Sequence, residues 1–279
     1  MDFAFLSIIF ALSAAVAWGS GDFTGGLVSR RVGPLHTVLV SYSVGLFALV
    51  IVALVRREPF PPTADLVWGA VAGISGMAGL VFLMRGFAIG RMGIVAPVSA
   101  VLATAIPVVF TLFTEGLPPQ LKLIGFGLAI VSIWMLSRRE ELSDRPAGIG
   151  MALLAGLGFG GFFIALGQVS EEAVFWPLVA GRLAACTLMA ILILSIRRPI
   201  LPSGLPVGLL TLAGILDVSG NLFFLLSIQL GRMDVTAVLG SLYPAVTAIL
   251  ARVVTKEYMA RLQMVGVVVA VLAIVMITM

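Results

Sequence analysis

Long apolar stretches separated by short polar breaks run along almost the whole chain. A helix needs ~20 mostly apolar residues to cross the roughly 30 Å of hydrocarbon in a bilayer. The alternation of apolar and polar residues that marks membrane strands is not found, so these stretches predict helices whose backbone groups bond internally. Reading each break as a turn predicts ten membrane helices, at 4–27, 36–55, 66–88, 93–113, 118–136, 147–168, 174–196, 206–229, 234–254 and 261–279.

The composition is that of a membrane protein. Of 279 residues, 61% are hydrophobic and 11% are charged, a balance that a water-soluble domain would not keep in solution. The predicted fold class is therefore an all-α integral membrane protein. The first apolar stretch has no basic leader and continues to Leu27, so we expect a first membrane helix there and not a secretion signal.

The net charge of +4 comes mainly from basic residues beside the ends of the predicted helices. Such positions are typical of interfacial anchors and topology signals. They are not interleaved with exposed aromatic residues, so we expect no nucleic-acid partner. Most of them follow odd-numbered helices, as Arg30, Arg31 and Arg91 do, which predicts that those turns face the cytoplasm and that both termini lie outside.

The chain carries an internal repeat. Shifting it on itself by 141 residues brings Ala72-Gly73-Ile74 onto Ala213-Gly214-Ile215, Gly79 onto Gly220, and Phe82 onto Phe223. We therefore predict two repeats of five helices, at 1–139 and 146–279, joined by a linker at 140–145. An odd number of helices makes the second repeat enter the membrane in the opposite sense. Inverted repeats suit alternating access around a site near the midplane.

Paired motifs occur in both halves: Trp18-Gly19 with Phe159-Gly160, Gly90-Arg91-Met92 with Gly231-Arg232-Met233, Glu115 with Glu257, and Gly125 with Gly266. With the duplicated five-helix unit, they resemble the drug/metabolite transporter superfamily, in particular its ten-helix members with two EamA-type domains. Glu257 departs by one residue, because it aligns with Glu115 at a shift of 142. The resemblance implies transport of amino acids, other metabolites, nucleotide sugars or phosphorylated compounds, with helices 1 and 6 beside a central cavity.

Ionisable residues inside predicted helices are the best candidates for a site, because a charge in the membrane is costly and usually faces a cavity or a partner. Asp217 and Asn221 are four residues apart and share one helix face, which Phe224 continues. This face would contact an ammonium or hydroxyl group of a substrate. Alternatively, Asp217 pairs with Arg182 and only locks helix 8 to helix 7. A pair could also do both, if a substrate carboxylate replaces Asp217.

Asp22 follows Trp18 at the same helical spacing, so the indole and the carboxylate can face one cavity. If Asp22 is buried, it is a candidate proton carrier. The interpretation that we favour is an interfacial carboxylate neutralised by Arg30 or Arg31.

Aromatic and hydroxyl side chains add weaker candidates for substrate binding. Phe159 and Phe163 lie in the sixth helix, where the resemblance implies a cavity wall, although the role that we favour for either one alone is packing or contact with lipid. Ser99, Ser241 and Tyr243 are candidate hydrogen-bonding groups, although hydroxyls in membrane helices often bond to their own backbone. Three prolines are candidate gating residues, because proline removes a backbone donor and kinks a helix: Pro97, Pro107 and Pro244.

The sequence gives no sign of enzymatic chemistry. There is no phosphate-binding loop or nucleophile motif, so we expect neither ATP hydrolysis nor catalysis. His36 is the single histidine and Cys186 the single cysteine, so we expect no cofactor and no metal site.

These features predict a secondary transporter, most plausibly an exporter, that moves an amino acid or similar small polar metabolite by alternating access. Its partners would be that metabolite and membrane lipid, in a prokaryotic cytoplasmic membrane, and a monomer would suffice. A flippase for a lipid-linked sugar is an alternative that needs a laterally open groove. A membrane-embedded enzyme is a further alternative that needs a convergent catalytic set.

Overall fold

The computed structural model describes residues 3–114, 119–137, 147–170, 173–200, 204–230, 239–240 and 242–278. These residues form helices and connecting turns, without a strand. The helices are α1 (Phe3–Val32), α2 (Pro34–Val55), α3 (Thr63–Ile89), α4 (Met92–Thr114), α5 (Gln120–Ser137), α6 (Ile149–Leu166), α7 (Phe175–Ser195), α8 (Val207–Leu230), α9 (Tyr243–Val254) and α10 (Arg261–Thr278). The all-helical fold class is confirmed.

The helices have the apolar character of membrane spans. Six of them, α1 to α3 and α6 to α8, are individually long and apolar enough to cross a membrane, and the other four carry shorter apolar segments. Large hydrophobic side chains such as Phe47 and Ile130, both 71% exposed, lie on the outer surface. Exposed apolar surface on this scale is expected where lipid, and not water, covers the protein.

Several helix ends differ from the prediction. α1 continues to Val32, and a single residue, Gly33, separates it from α2. Gly33 has a φ of 85°, which favours glycine, and Pro34 starts the next helix with a ring already suited to the first turn. α1 therefore keeps Arg30 and Arg31 in its last turn, where positive charge stabilises the helix dipole.

Two predicted features lie partly or wholly outside the described residues. The predicted linker at 140–145, with the repeat boundaries on either side of it, lies outside the described residues. The first part of the ninth predicted helix also lies outside them. Within the described residues, Leu239 and Gly240 are helical, Leu242 forms a turn, and α9 begins at Tyr243.

The two halves pack across each other, as two inverted repeats do. α1 lies against α8, and its counterpart α6 lies against α3. α2 packs on α8, and α7 packs on α3. The second of these contacts is very close, because a Cβ atom on Gly73 would come within 2.1 Å of the carbonyl oxygen of Gly181. The predicted architecture of two inverted five-helix repeats is confirmed.

The helices of the two repeats are packed differently. We call side I the face at which odd-numbered helices end and side II the face at which even-numbered helices end. The backbones of α1, α2 and α3 lie close to one another, whereas those of their counterparts α6, α7 and α8 scarcely approach one another within their described residues. α7 and α8 meet through the side chains of Arg182 and Asp217. The two repeats therefore have the same elements in different arrangements.

Candidate functional site

A narrow cavity lies between α1, α2, α3 and α8. Its free space is about 370 Å³, including the open space at its mouth. It is lined by Trp18, Gly21, Asp22, Gly25, Thr37, Val38, Ser41, Tyr42, Leu80, Met84, Ala213 and Asp217. Because both halves contribute to the wall, the cavity lies at the interface of the repeats, where inverted-repeat transporters hold their solutes.

Asp217 of α8 forms an ion pair with Arg182 of α7. Both helices pack on α2, so the ion pair lies beside this helix. The guanidinium lies over the ring of Tyr42 in α2, with its Cζ atom 3.8 Å from the ring centroid. Gly45, one turn further along α2, also lies beside the guanidinium, because a Cβ atom there would be in ordinary contact with Cζ of Arg182, at 3.7 Å.

The two members of this pair differ in their surroundings. The side chain of Arg182 is 12% exposed and that of Asp217 is 35% exposed, and only Asp217 lines the cavity. Nη1 of Arg182 is buried and has no hydrogen-bond partner within the described residues. The structure therefore brings Arg182 and Asp217 together and presents Asp217 to the cavity. A role for the pair beyond locking the two helices together stays a prediction. Asn221 lies one turn further along α8 and is half-buried.

Asp22 lies in the cavity wall with Trp18 and Asp217. The interpretation that we favoured from the sequence, an interfacial carboxylate neutralised by Arg30 or Arg31, is wrong. Nη2 of Arg30 binds Glu257 at 2.7 Å, and Arg31 is exposed at the end of α1. Asp22 is two helical turns away from Arg30 and within electrostatic reach of Asp217 instead.

Aromatic rings pack around Trp18 beside the cavity. The indole lies 5.5 Å from the ring of Phe224 and 6.4 Å from that of Tyr243, measured between centroids. The indole fits because α8 has glycine at position 220, where a Cβ atom would come within 2.5 Å of the indole nitrogen. Tyr243 therefore lies in the group of aromatic residues around the cavity, although it is not part of the cavity wall.

Phe159 and Phe163 are not brought to this cavity. Phe159 packs on α3, where a Cβ atom on Gly79 would lie 2.9 Å from its ring. This contact is the repeat-related counterpart of Trp18 on Gly220. Phe163 is 50% exposed and contacts Phe162, with 5.4 Å between ring centroids. A role for either residue in substrate binding stays a prediction.

The remaining candidates are spread through α4 and α9. Ser99 is buried and donates a hydrogen bond to the carbonyl oxygen of Ala96 at 2.9 Å, so it binds its own helix. Pro97 and Pro107 lie inside α4, as the kink hypothesis requires. Pro244 does not lie inside a helix but in the first turn of α9, where a missing donor costs no helical bond. Ser241 lies outside the described residues, and gating stays a prediction.

Two parts of the site were missed from the sequence. Thr37, Ser41 and Tyr42 bring α2 into the cavity wall, and the polar run Ser41-Tyr42-Ser43 inside an apolar helix is the signal that could have found them. The other is a set of contacts that closes the structure near side I, around the ion pair of Arg30 and Glu257. No local sequence pattern marks this closure, because these two residues are 227 positions apart in the chain.

This closure ties the ends of four helices together between the cavity and side I. Besides Glu257, Arg30 donates hydrogen bonds to the carbonyl oxygens of Phe87 at 2.9 Å and Gly90 at 3.2 Å. The other carboxylate oxygen of Glu257 accepts from the backbone N–H of Gly93 in α4 at 3.2 Å. Glu257 follows Lys256, whose φ of 53° belongs to the turn after α9.

Side II is fastened differently. The carboxylate of Glu58 accepts hydrogen bonds from the backbone N–H groups of Val174, Phe175 and Trp176 at 2.6–3.1 Å, and so caps α7. Asp65 accepts from the backbone N–H and the hydroxyl of Ser170. Glu58 thus holds the turn after α2 to the start of α7, and Asp65 holds the start of α3 to the turn after α6. None of these residues lines the cavity.

Comparisons with known proteins agree with this architecture. A solved structure, titled only "Crystal structure of protein", is similar to this chain with a TM-score of 0.62 and 18% identity, over 97% of this chain and 95% of that one. At this identity it shows the fold alone. No curated protein matches the chain. The model of the EamA-like transporter family matches residues 5–138 and again 146–279. The chain therefore belongs to the EamA-like transporter family and is an integral membrane transporter of small molecules, not an enzyme.

Proposed function

We propose that this protein is a secondary transporter that moves an amino acid or similar small polar metabolite by alternating access. The observation that carries the proposal is the cavity between α1, α2, α3 and α8, with Asp22 and Asp217 in its wall. Charged side chains inside a membrane are expensive and mark solute pathways when they face a cavity. Trp18, Asp22, Tyr42 and Asp217 are the proposed solute contacts, with Asn221 and Tyr243 beside them.

The difference between the two repeats supports alternating access. α1, α2 and α3 are packed together and Arg30 and Glu257 join helix ends near side I. The corresponding described helices of the second repeat are further apart. In an inverted repeat, exchanging these two arrangements closes one side of the membrane as it opens the other. We propose that this structure represents the state closed at side I.

The transport unit that we propose is a monomer in a prokaryotic cytoplasmic membrane. Exchange or a gradient of solute would drive the movement without ATP. Export is the direction that we propose.

The experiment is solute counterflow in liposomes that contain the purified protein. Liposomes are loaded with one unlabelled amino acid at a time, and entry of the labelled form is followed without ATP. We expect entry above that of protein-free liposomes for at least one solute, and loss of this entry in Asp217→Asn. Failure across amino acids, amines, nucleosides and sugars would overturn the proposal. Exchange of a lipid-linked sugar alone would favour the flippase.

A further inference from the structure

The charges at the cavity do not balance. Asp22 and Asp217 are the ionisable residues in its wall apart from Tyr42, and Arg182 is the cation that contacts this group. Arg182 neutralises Asp217. When Asp22 is ionised, its negative charge is then left over among the described residues of the site.

No cation of the described chain is placed to neutralise Asp22. Arg30 is the basic residue nearest to it in α1, and its guanidinium binds Glu257 and two carbonyl groups at the end of α3. An ionised carboxylate that has no partner and is away from water costs several kcal/mol, and it avoids this cost by taking up a proton. A ligand that brings one net positive charge stabilises the ionised carboxylate and takes the place of that proton, whereas a neutral ligand does not.

The surroundings of Asp22 suit an ammonium group. Trp18 lies one turn before it on the same face of α1 and lines the same cavity. Tyr42 and Tyr243 are within electrostatic reach of the carboxylate. Aromatic rings attract cations, with about 2 kcal/mol available when the site is desolvated. Asp22 offers the negative charge, and Trp18 is the aromatic neighbour in the same cavity wall, because one face of Tyr42 is already covered by Arg182 and Tyr243 lies outside the wall.

A substrate carboxylate has no comparable place. Arg182 is covered on one side by Tyr42 at 3.8 Å and on another by Gly45 of the same helix. Its bound carboxylate partner is Asp217, and its remaining Nη1 atom is buried and outside the cavity wall. If a substrate carboxylate took the place of Asp217, the negative charge of Asp217 would be released into the cavity. Exchanging one carboxylate for the other therefore gains nothing.

We infer that the cavity selects a solute with a protonated primary amine and a net charge of +1, with Asp22 as its counter-ion. Arg182 holds Asp217 neutralised and is a positioning residue for the second carboxylate. The inference rests on the proposed transport function and narrows its substrate class from polar metabolites in general to amines that carry no uncompensated carboxylate.

Three ligands with the same leucine side chain test the charge requirement on the wild-type protein at about pH 6.5, below the pKa of an α-amino group. Leucinamide then carries a net charge of +1, leucine is a zwitterion of net charge zero, and N-acetyl-leucinamide has no ammonium group. Each is measured by thermal shift of the detergent-solubilised protein and by counterflow in liposomes. We expect leucinamide to act at concentrations about tenfold lower than leucine, or lower still, and N-acetyl-leucinamide to have no effect.

Asp22→Asn tests the residue, and Asp65→Asn is its matched control. Asp65 is a buried carboxylate near side II that binds Ser170 and does not line the cavity. The preference for leucinamide over leucine should vanish in Asp22→Asn and persist in Asp65→Asn. Should Asp22→Asn fail to fold, the ligand series on the wild-type protein decides the inference by itself.

The outcomes separate this inference from the proposed function. Exchange of leucine that equals or exceeds exchange of leucinamide would overturn the charge requirement and leave transport standing. A thermal shift with leucinamide but no exchange of any solute would support the amine site and overturn transport. A preference for leucinamide that survives in Asp22→Asn would overturn the role of Asp22.

Discussion

Arg182 lies over the ring of Tyr42, with its Cζ atom 3.8 Å from the ring centroid, and the same guanidinium binds Asp217. Tyr42 belongs to α2 of the first repeat, whereas Arg182 and Asp217 belong to the second. A cation over an aromatic face is stabilised without a second carboxylate. The contact therefore joins the repeats at the point where the charges of the proposed site meet.

Replacing Tyr42 tests this contact. Tyr42→Leu should lower the stability of the protein by about 1–2 kcal/mol, because the ring under the guanidinium is lost. Tyr42→Phe keeps the ring and should retain most of this stability. Thermal unfolding of both variants in one detergent measures the difference. Equal stability of Tyr42→Leu and Tyr42→Phe would show that the ring contributes nothing.

The ion pair itself predicts non-additive effects. Arg182→Gln and Asp217→Asn each leave one charge without its partner. Losing the partner of a buried charge costs about 3–5 kcal/mol, and we expect the lower end for Arg182→Gln because Asp217 is 35% exposed. The double variant should unfold at a higher temperature than the sum of the single effects predicts. Strictly additive shifts would mean that the pair is not coupled.

Gly220 is predicted to be essential for the position of Trp18. A Cβ atom on Gly220 would lie 2.5 Å from the indole, and overpacking of this kind costs about 1–3 kcal/mol. Gly220→Ala should therefore destabilise the protein and weaken ligand binding together. Gly127→Ala is the matched control, because a Cβ atom there has no neighbour within 4 Å. Equal unfolding temperatures of the two variants would contradict the prediction.

Glu257 is predicted to keep side I closed. In Glu257→Gln, the charge-assisted bond from Arg30 is lost, and a bond of this kind contributes about 1.5–3 kcal/mol. Opening toward side I should then become about tenfold more frequent. The measurement is the rate at which a thiol reagent labels Thr37→Cys, a cavity position, in a Cys186→Ser background.

Arg31→Gln is the control for this experiment, because Arg31 is an exposed neighbour of Arg30 outside the closure. Its labelling rate should equal that of the parent variant. An unchanged labelling rate in Glu257→Gln would show that the ion pair does not hold side I closed.

The membrane fold could be predicted from the sequence because its signal is local and repeated. Each apolar stretch is long enough to identify a helix, and one shift of 141 residues relates the halves. Helix ends were less predictable, since α1 continues through Arg30 and Arg31 to a one-residue turn at Gly33. The change from apolar to polar residues in the sequence does not mark the end of α1, because the last turn of this helix itself carries interfacial charges.

The site could be predicted only where its chemistry is rare in a membrane. Arg182 and Asp217 stand out as opposite charges in neighbouring apolar helices, and their pairing follows from that. Tyr42 was missed because an aromatic residue in an apolar helix usually faces lipid or the core, and only the polar run Ser41-Tyr42-Ser43 marks its position. The environment of Asp22 was predicted wrongly since it depends on Arg30, whose partner Glu257 lies in another repeat.

The most direct test of the central claim, that solute passes through the cavity between α1, α2, α3 and α8, is chemical block of that cavity. Ser41 lines it and is buried, so Ser41→Cys in a Cys186→Ser background places a single thiol there. Counterflow in liposomes is measured before and after labelling with a small thiol reagent. The predicted result is that labelling abolishes exchange and that excess solute slows labelling. Complete labelling with unchanged exchange would contradict the claim.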